Sequence, residues 1–174
     1  MFSGGLDLKI IQSGDIDHIQ EMSFSAFKLL ARIFSFPRPA IAACSGHAVA
    51  LGTFLLCCCD YRIGVKGQFM LGANEMRTNM VIPTPILELI KFRVSNAHKY
   101  RAVLGAEMYT LEDSLAAGLM DEVVDQNLLM SAVNEKAKDL ATMGHPSYSM
   151  TKELFIADPM SKINTAMEEL KNNS

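Results

Sequence analysis

AIAACSGHAVALGTFLLCCCD, from Ala40 to Asp60, is the longest apolar run of the sequence. Polar and small residues interrupt it at Ser45, Gly46, His47, Gly52 and Thr53. The run is therefore a poor candidate for a membrane span, because no uninterrupted apolar stretch reaches the length that a bilayer needs. It predicts instead a buried strand, a turn and a buried helix.

The residues on both sides of this run carry further strand and helix patterns. A helix is predicted from Ile16 to Phe36, where apolar residues recur at helical spacing until Pro37 and Pro39 end it. Strands are predicted at Tyr61–Val65 and Phe69–Leu71, with a turn between them. This alternation indicates an α/β fold. Beyond Pro83 the patterns are mainly helical: Pro85–Phe92, Asn96–Leu104, Leu111–Ala117, Leu128–Met143 and Tyr148–Ala157, with a short extended piece at Val123–Val124.

Length and composition fit one ordinary globular domain. The chain has 174 residues, of which 49% are hydrophobic and 20% charged, and its formal net charge is -3. This balance is typical of a soluble protein and gives no basic surface for nucleic acid. No secretory signal is recognisable, and no membrane association is expected. The expected location is the cytoplasm.

The four cysteines do not form a metal-binding or disulfide pattern. Cys57, Cys58 and Cys59 are consecutive, so on a helix their side chains point about 100° apart and cannot converge on one ion. We expect them, together with Cys44, to be small buried residues with reduced thiols. No metal site is predicted.

Five motifs together resemble the crotonase superfamily, which comprises the enoyl-CoA hydratases and isomerases. They occur in the family's order over nearly the whole chain. The motifs are FSGGLDLK at Phe2–Lys9, RPAIAACSGHAVALG at Arg38–Gly52, CDYRIG at Cys59–Gly64, GANEM at Gly72–Met76 and AAGLMDEVV at Ala116–Val124.

The resemblance implies a spiral of β-β-α turns followed by a helical segment that mediates oligomerisation. Residues 1–92 would form a partial α/β core and residues 93–174 the C-terminal helical segment, assembling as a homotrimer or a dimer of trimers. Family members carry further strands and a helix before the FSGG motif, so the chain is expected to be truncated at its N-terminus. The implied substrate is an acyl-CoA thioester, with coenzyme A as part of the substrate and no separate cofactor.

The resemblance also implies two backbone N–H donors for the thioester oxygen. Transferred by motif, they are the amides of Ser3 and Leu51, or of Gly52 if the register differs by one residue. Two fixed donors stabilise the enolate that forms when a proton leaves the carbon beside the carbonyl, by about 3 kcal/mol each. The glycines of the first motif allow the close backbone approach that such donors require.

Glu75 and Phe54 indicate which reaction is favoured. Hydration in this family uses two glutamates, and the first of their positions is occupied here by Phe54, which cannot transfer a proton. The second corresponds to Glu75, which suits the single-base mechanism of the Δ3,Δ2-enoyl-CoA isomerases. Burial near Met70, Leu71, Met76 and Phe54 is expected to raise the proton affinity of Glu75. The alternative is a solvated loop carboxylate.

Three residues of the first motif are candidates for coenzyme A binding: Gly5, Asp7 and Lys9. Lys9 is placed to meet the CoA phosphates, although a solvated lysine is the alternative, and Asp7 is suited to capping the next helix. Two other functions stay open besides the isomerase. One is a hydratase-like protein of low activity, and the other is a non-catalytic homologue that binds acyl-CoA or only assembles with other subunits.

Overall fold

The computed structural model describes residues 1–172 and contains both helices and strands. The helices are α1 (Leu8–Ser13), α2 (Ile16–Phe34), α3 (Leu51–Cys58), α4 (Thr84–Arg93), α5 (Lys99–Val103), α6 (Ser114–Ala117), α7 (Leu129–Ala141), α8 (His145–Phe155) and α9 (Ala157–Asn172). The strands are β1 (Ile41–Cys44), β2 (Ala48–Val49), β3 (Tyr61–Val65), β4 (Met70–Gly72), β5 (Tyr109–Thr110) and β6 (Glu122–Val124). The predicted α/β class is confirmed.

Two small sheets form the centre of the molecule. One has the strand order β1-β3-β6 with both pairs parallel. In the other, β4 lies between β2, to which it is parallel, and β5, to which it is antiparallel. Ser3 adds one residue to the second sheet through a parallel bridge to Ala48. The beginning of the chain is thereby fixed against the turn before α3.

The apolar run from Ala40 to Asp60 folds as its pattern predicts, into β1, a turn containing β2, and α3. Helix α3 is buried on most of its surface, because its residues are apolar on almost every side. Phe54, Leu56, Cys57 and Cys58 are fully buried. The cysteines are free thiols, and desolvation raises the pKa of Cys57 to about 11. This part of the chain is the middle of the hydrophobic core.

Two ion pairs, each with a buried cation, attach later parts of the chain to this core. Arg62 of β3 makes a bidentate ion pair with Asp121. Its Nε and Nη2 atoms donate to Oδ2 and Oδ1, each over 2.8 Å. Lys152 of α8 donates to Oδ2 of Asp60 over 2.7 Å, and the same oxygen accepts the amide of Ala40. The bidentate contact of Arg62 fixes its geometry more firmly than a single hydrogen bond would.

The second half of the chain differs from its sequence pattern most clearly around α6. The predicted helix at Leu111–Ala117 is reduced to the single turn α6, preceded by strand β5. Strand β5 belongs to the sheet of β2 and β4. The extended piece predicted at Val123–Val124 is confirmed as part of β6, which belongs to the other sheet. Helix α9 follows α8 almost directly and packs on α4 and α2. The last two residues of the predicted segment 93–174 lie outside the described residues.

Candidate active site

Glu75 lies where β4 leaves its sheet. It begins a turn of 3-10 helix, Glu75–Thr78, that ends at Asn79 in the left-handed conformation with φ 56°. Strand β4 is parallel to β2, with Val49 opposite Gly72, and the amide of Ala50 donates to the Gly72 carbonyl over 3.1 Å. Chain segments that follow neighbouring parallel strands leave the sheet at the same edge. The turn that carries Glu75 therefore leaves the sheet at the same edge as the start of α3.

One carboxylate oxygen of Glu75 is buried without a hydrogen-bond partner. The residue is 7% exposed, and its Oε2 atom has no hydrogen bond among the described residues. Desolvation raises the pKa of Glu75 above its ordinary value, and the residue's own backbone N–H opposes this only in part. Burial and the raised proton affinity agree with the sequence expectation, although Met76 is exposed and contributes little to it. An unpaired buried carboxyl is a candidate general base.

Burial of Glu75 predicts a pH-dependent stability. Because the pKa is raised in the folded state, the folded protein holds the proton more tightly than the unfolded chain does. The free energy of unfolding is therefore expected to fall as pH rises through the folded-state pKa. Glu75→Gln should be more stable than the parent at neutral pH, and the difference should vanish below the ordinary glutamate pKa. Urea unfolding of both proteins across pH measures this, and a difference independent of pH would contradict it.

The amide of Leu51 is an open hydrogen-bond donor. Leu51 is the first residue of α3, where helical geometry provides no acceptor for the N–H. No other group of residues 1–172 accepts it. Ala50, which precedes it, has φ 53°, an uncommon conformation for a residue with a side chain. The positive end of the helix dipole adds to the attraction of an oxygen that gains negative charge.

The amide of Ser3 is occupied by the protein itself. It donates to the His47 carbonyl over 3.0 Å, and the Ser3 carbonyl accepts the amide of Val49 over 2.9 Å. Both bonds belong to the bridge between Ser3 and Ala48. The residue that the resemblance implied as the first oxyanion donor thus has no free N–H, because pairing with the sheet uses it.

Gly5 brings the first loop close to Leu51. It has φ 108°, a conformation that favours glycine, and a Cβ built on it would lie 3.2 Å from the Cβ of Ala50 and 3.7 Å from the amide nitrogen of Leu51. The next amide, that of Leu6, has no acceptor among the described residues. Leu6 was not singled out from the sequence. The glycine at position 5, which permits the positive φ just before Leu6, is the sequence feature that could have indicated this amide.

Asp7 and Lys9 occupy the end of the same loop. The Asp7 carboxylate accepts the amide of Lys9 over 2.8 Å and caps α1, as its position predicts. Lys9 is exposed, and its ammonium group has no partner among residues 1–172. The two side chains therefore differ in role: the carboxylate shapes the loop, and the ammonium group is available to an anion.

Within residues 1–172, no helix combines the length and apolar character that crossing a membrane requires. The described part of the chain also holds no group of three His, Cys, Asp or Glu side chains placed to bind one metal ion.

Comparison with known proteins assigns the chain to a family. Residues 1–173 match the sequence model of the enoyl-CoA hydratase/isomerase family. The chain belongs to this family. The crotonase fold that the five motifs implied is thus confirmed, and the buried Glu75 and the open Leu51 amide lie in a member of the enoyl-CoA hydratase/isomerase family.

The individual relatives include proteins named as hydratases and proteins named as isomerases. A crystal structure of a probable enoyl-CoA hydratase from Mycobacterium tuberculosis is 34% identical, with a TM-score of 0.93 over 99% of this chain and 72% of that one. Mouse mitochondrial enoyl-CoA delta isomerase 1 is 26% identical over 82% of this chain and 48% of its own. Human mitochondrial delta3-delta2-enoyl-CoA isomerase shares the fold, with a TM-score of 0.92, 20% identity, and coverage of 99% of this chain and 67% of that one.

The matched regions are shorter than the relatives themselves. The chain spans 63% and 48% of two curated relatives of the enoyl-CoA hydratase/isomerase family. Membership and fold follow from these comparisons, whereas the reaction depends on the side chains of the site. Phe54 matters most for that question, because it is fully buried at the position where a hydratase glutamate was expected.

Proposed function

We propose that the protein isomerises 3-enoyl-CoA thioesters to 2-enoyl-CoA thioesters with Glu75 as its single base. Glu75 takes a proton from C2, and the electrons of that C–H bond move to the thioester oxygen to form an enolate. The carboxyl group then returns the proton to C4, and the double bond moves to C2–C3. The observation that carries this proposal is the buried, unpaired Oε2 atom of Glu75.

The enolate oxygen would be held by the backbone. In this proposal the second donor is the Leu51 amide, as the resemblance implied, and the first is the Leu6 amide in place of that of Ser3. Supporting this change, the Ser3 amide is bonded to His47, and the backbone at Gly5 lies against the Leu51 amide. Two preorganised donors aimed at a developing charge each contribute about 3 kcal/mol to the transition state.

Burial of Glu75 suits the proposed base. A carboxylate in water is a weak base, and desolvation strengthens Glu75 as a base by raising its pKa. No charged neighbour is among the causes of the shift, so desolvation accounts for it. We therefore expect the acid limb of the rate profile to report Glu75 alone.

Coenzyme A would bind along the first loop. We propose that the exposed ammonium group of Lys9 meets the CoA phosphates, since it has no protein partner among the described residues. Gly5 and Asp7 would contribute through the backbone shape that they impose rather than through direct charge. Binding of the acyl-CoA thioester requires no separate cofactor in this scheme.

A test with two substrates separates the candidate reactions. Purified protein is incubated with a 3-enoyl-CoA and, separately, with a 2-enoyl-CoA, and the conjugated thioester is followed by ultraviolet absorbance. Conversion of the first substrate without loss of the second supports the isomerase. Hydration of the 2-enoyl-CoA would favour the hydratase despite Phe54. A folded protein that converts neither substrate would be a binding or assembly homologue.

Assembly as a homo-oligomer is a second part of the proposal. Helix α8 presents large apolar side chains to solvent: Met150 is 66% exposed and Leu154, one turn later, 79%. Such neighbouring apolar residues on one helix face favour contact with another subunit. A trimer or a dimer of trimers is the assembly that the family resemblance implies.

Leu154→Lys is expected to weaken this assembly. The substitution places a charge in the middle of the exposed apolar face of α8, whereas it removes nothing that is buried in the monomer. Sedimentation velocity should then show a smaller species, with the unfolding midpoint of the monomer changed little. Glu153→Lys is the control, because Glu153 is next to Leu154 and is exposed but polar. Equal masses for the parent and the Leu154 variant would contradict the proposed interface.

A further inference from the structure

Arg77 links the turn that carries Glu75 to another part of the fold. Its Nε atom donates to the Ala106 carbonyl over 2.8 Å, 29 residues further along the chain. Glu75 and Arg77 are two residues apart in the same turn of 3-10 helix. The guanidinium group therefore connects the backbone that carries the carboxylate to the loop between α5 and β5.

The other bonds of this turn are local. The Arg77 amide donates to Asn74, and both the Thr78 hydroxyl and the Met80 amide donate to the Glu75 carbonyl, over 2.9, 3.0 and 2.9 Å. The residues that follow Glu75 are exposed as far as Val81. Among residues 1–172, the Arg77 bond is the one side-chain hydrogen bond from this turn to a distant segment.

The loop that receives Arg77 is itself well fixed. Ala106 is 2% exposed, and its φ of 44° shows a backbone held in an uncommon conformation. Next to it, the Glu107 carboxylate accepts two hydrogen bonds from Arg101, and the Glu107 amide donates to the Arg101 carbonyl. The loop also touches β4, since a Cβ on Gly72 would lie 2.8 Å from the Glu107 carbonyl oxygen. Arg77 thus has a rigid attachment point.

We propose that Arg77 is a positioning residue for Glu75 in the isomerisation, holding the turn so that the carboxylate stays at its buried place. This inference rests on the proposed function. Without the bond to Ala106, the exposed turn can move outward and admit water to the carboxyl group. A base displaced by about 1 Å from its productive position loses on the order of 100-fold in rate.

The kinetic test uses two substitutions at Arg77 and one control. Arg77→Met is expected to lower kcat about 10- to 100-fold, with KM unchanged within about twofold because substrate contacts are kept. Arg77→Lys, which retains a donor, should recover part of the loss. Arg38→Met is the control, since Arg38 is exposed and makes no hydrogen bond or ion pair with the described residues. It should leave kcat unchanged.

A second measurement, of the pKa of Glu75, does not depend on catalytic activity. The carboxyl carbon of Glu75 is titrated by carbon-13 NMR in the ligand-free protein and assigned with Glu75→Gln. Because desolvation raises the pKa of Glu75, admission of water in Arg77→Met should move the midpoint down towards the ordinary glutamate value. An inactive parent protein would refute the proposed function yet leave this titration intact. An unchanged midpoint in a folded Arg77→Met protein would overturn the positioning role.

Discussion

Glu75→Gln is expected to reduce turnover of a 3-enoyl-CoA by about a thousandfold while binding of an acyl-CoA persists. Glutamine has the size of glutamate but accepts no proton, so no base remains to remove the proton from C2 of the substrate. The buried site should tolerate the amide, since the carboxylate oxygen Oε2 already has no partner. Steady-state kinetics gives the rate, and calorimetric titration with a saturated acyl-CoA gives the affinity.

The control for this substitution is Glu21→Gln on α2. Glu21 is exposed and has no ion pair with the described residues, so it tests the loss of one negative charge alone. Its turnover should equal that of the parent. If Glu75→Gln kept parent-like turnover, another group would have to be the base, and the single-base mechanism would be wrong.

Gly52→Ala is expected to destabilise the protein by about 3 kcal/mol and to abolish most activity. A Cβ at this position would lie 2.5 Å from the Ser3 carbonyl oxygen and 3.0 Å from the Ser3 Cβ. The nearest atom belongs to the backbone, so the first loop would have to move away from α3. That movement separates the Leu6 and Leu51 amides, and loss of one oxyanion donor alone lowers kcat about 100- to 1000-fold.

Gly144→Ala provides the matched control for crowding. A Cβ there meets no atom within 4 Å, and the φ of -59° suits alanine. The expected change in the free energy of unfolding is below about 1 kcal/mol, with activity retained. Denaturant unfolding and the isomerase assay measure both variants. A Gly52→Ala protein as stable and active as the parent would show that the first loop does not need its close contact with α3.

The sequence was sufficient for the elements whose patterns are local. The apolar run from Ala40 to Asp60 predicted β1 and α3, because proline precedes it and small polar residues divide it. Asp7 was recognised as a helix cap, and the structure confirms it. The family followed from five motifs that are weak singly but occur in one order.

Long-range pairing explains what the sequence did not reveal. Strand β5 has only two residues and exists because β4 lies beside it, so periodicity cannot show it. Ser3 was assigned a free amide, yet its bridge to Ala48 uses that amide. The role of Arg77 depends on a carbonyl 29 residues away, which no local pattern indicates. Glu75 was found because a family motif surrounds it.

The most direct test of the central claim follows the transferred hydrogen. A 3-enoyl-CoA carrying deuterium at C2 is converted by the protein, and the product is analysed by NMR for deuterium at C4. The account predicts a 2-enoyl-CoA with part of the label at C4, because the buried Glu75 returns the nucleus that it removed. A product without label at C4, or a product hydrated at C3, would contradict a single-base isomerase.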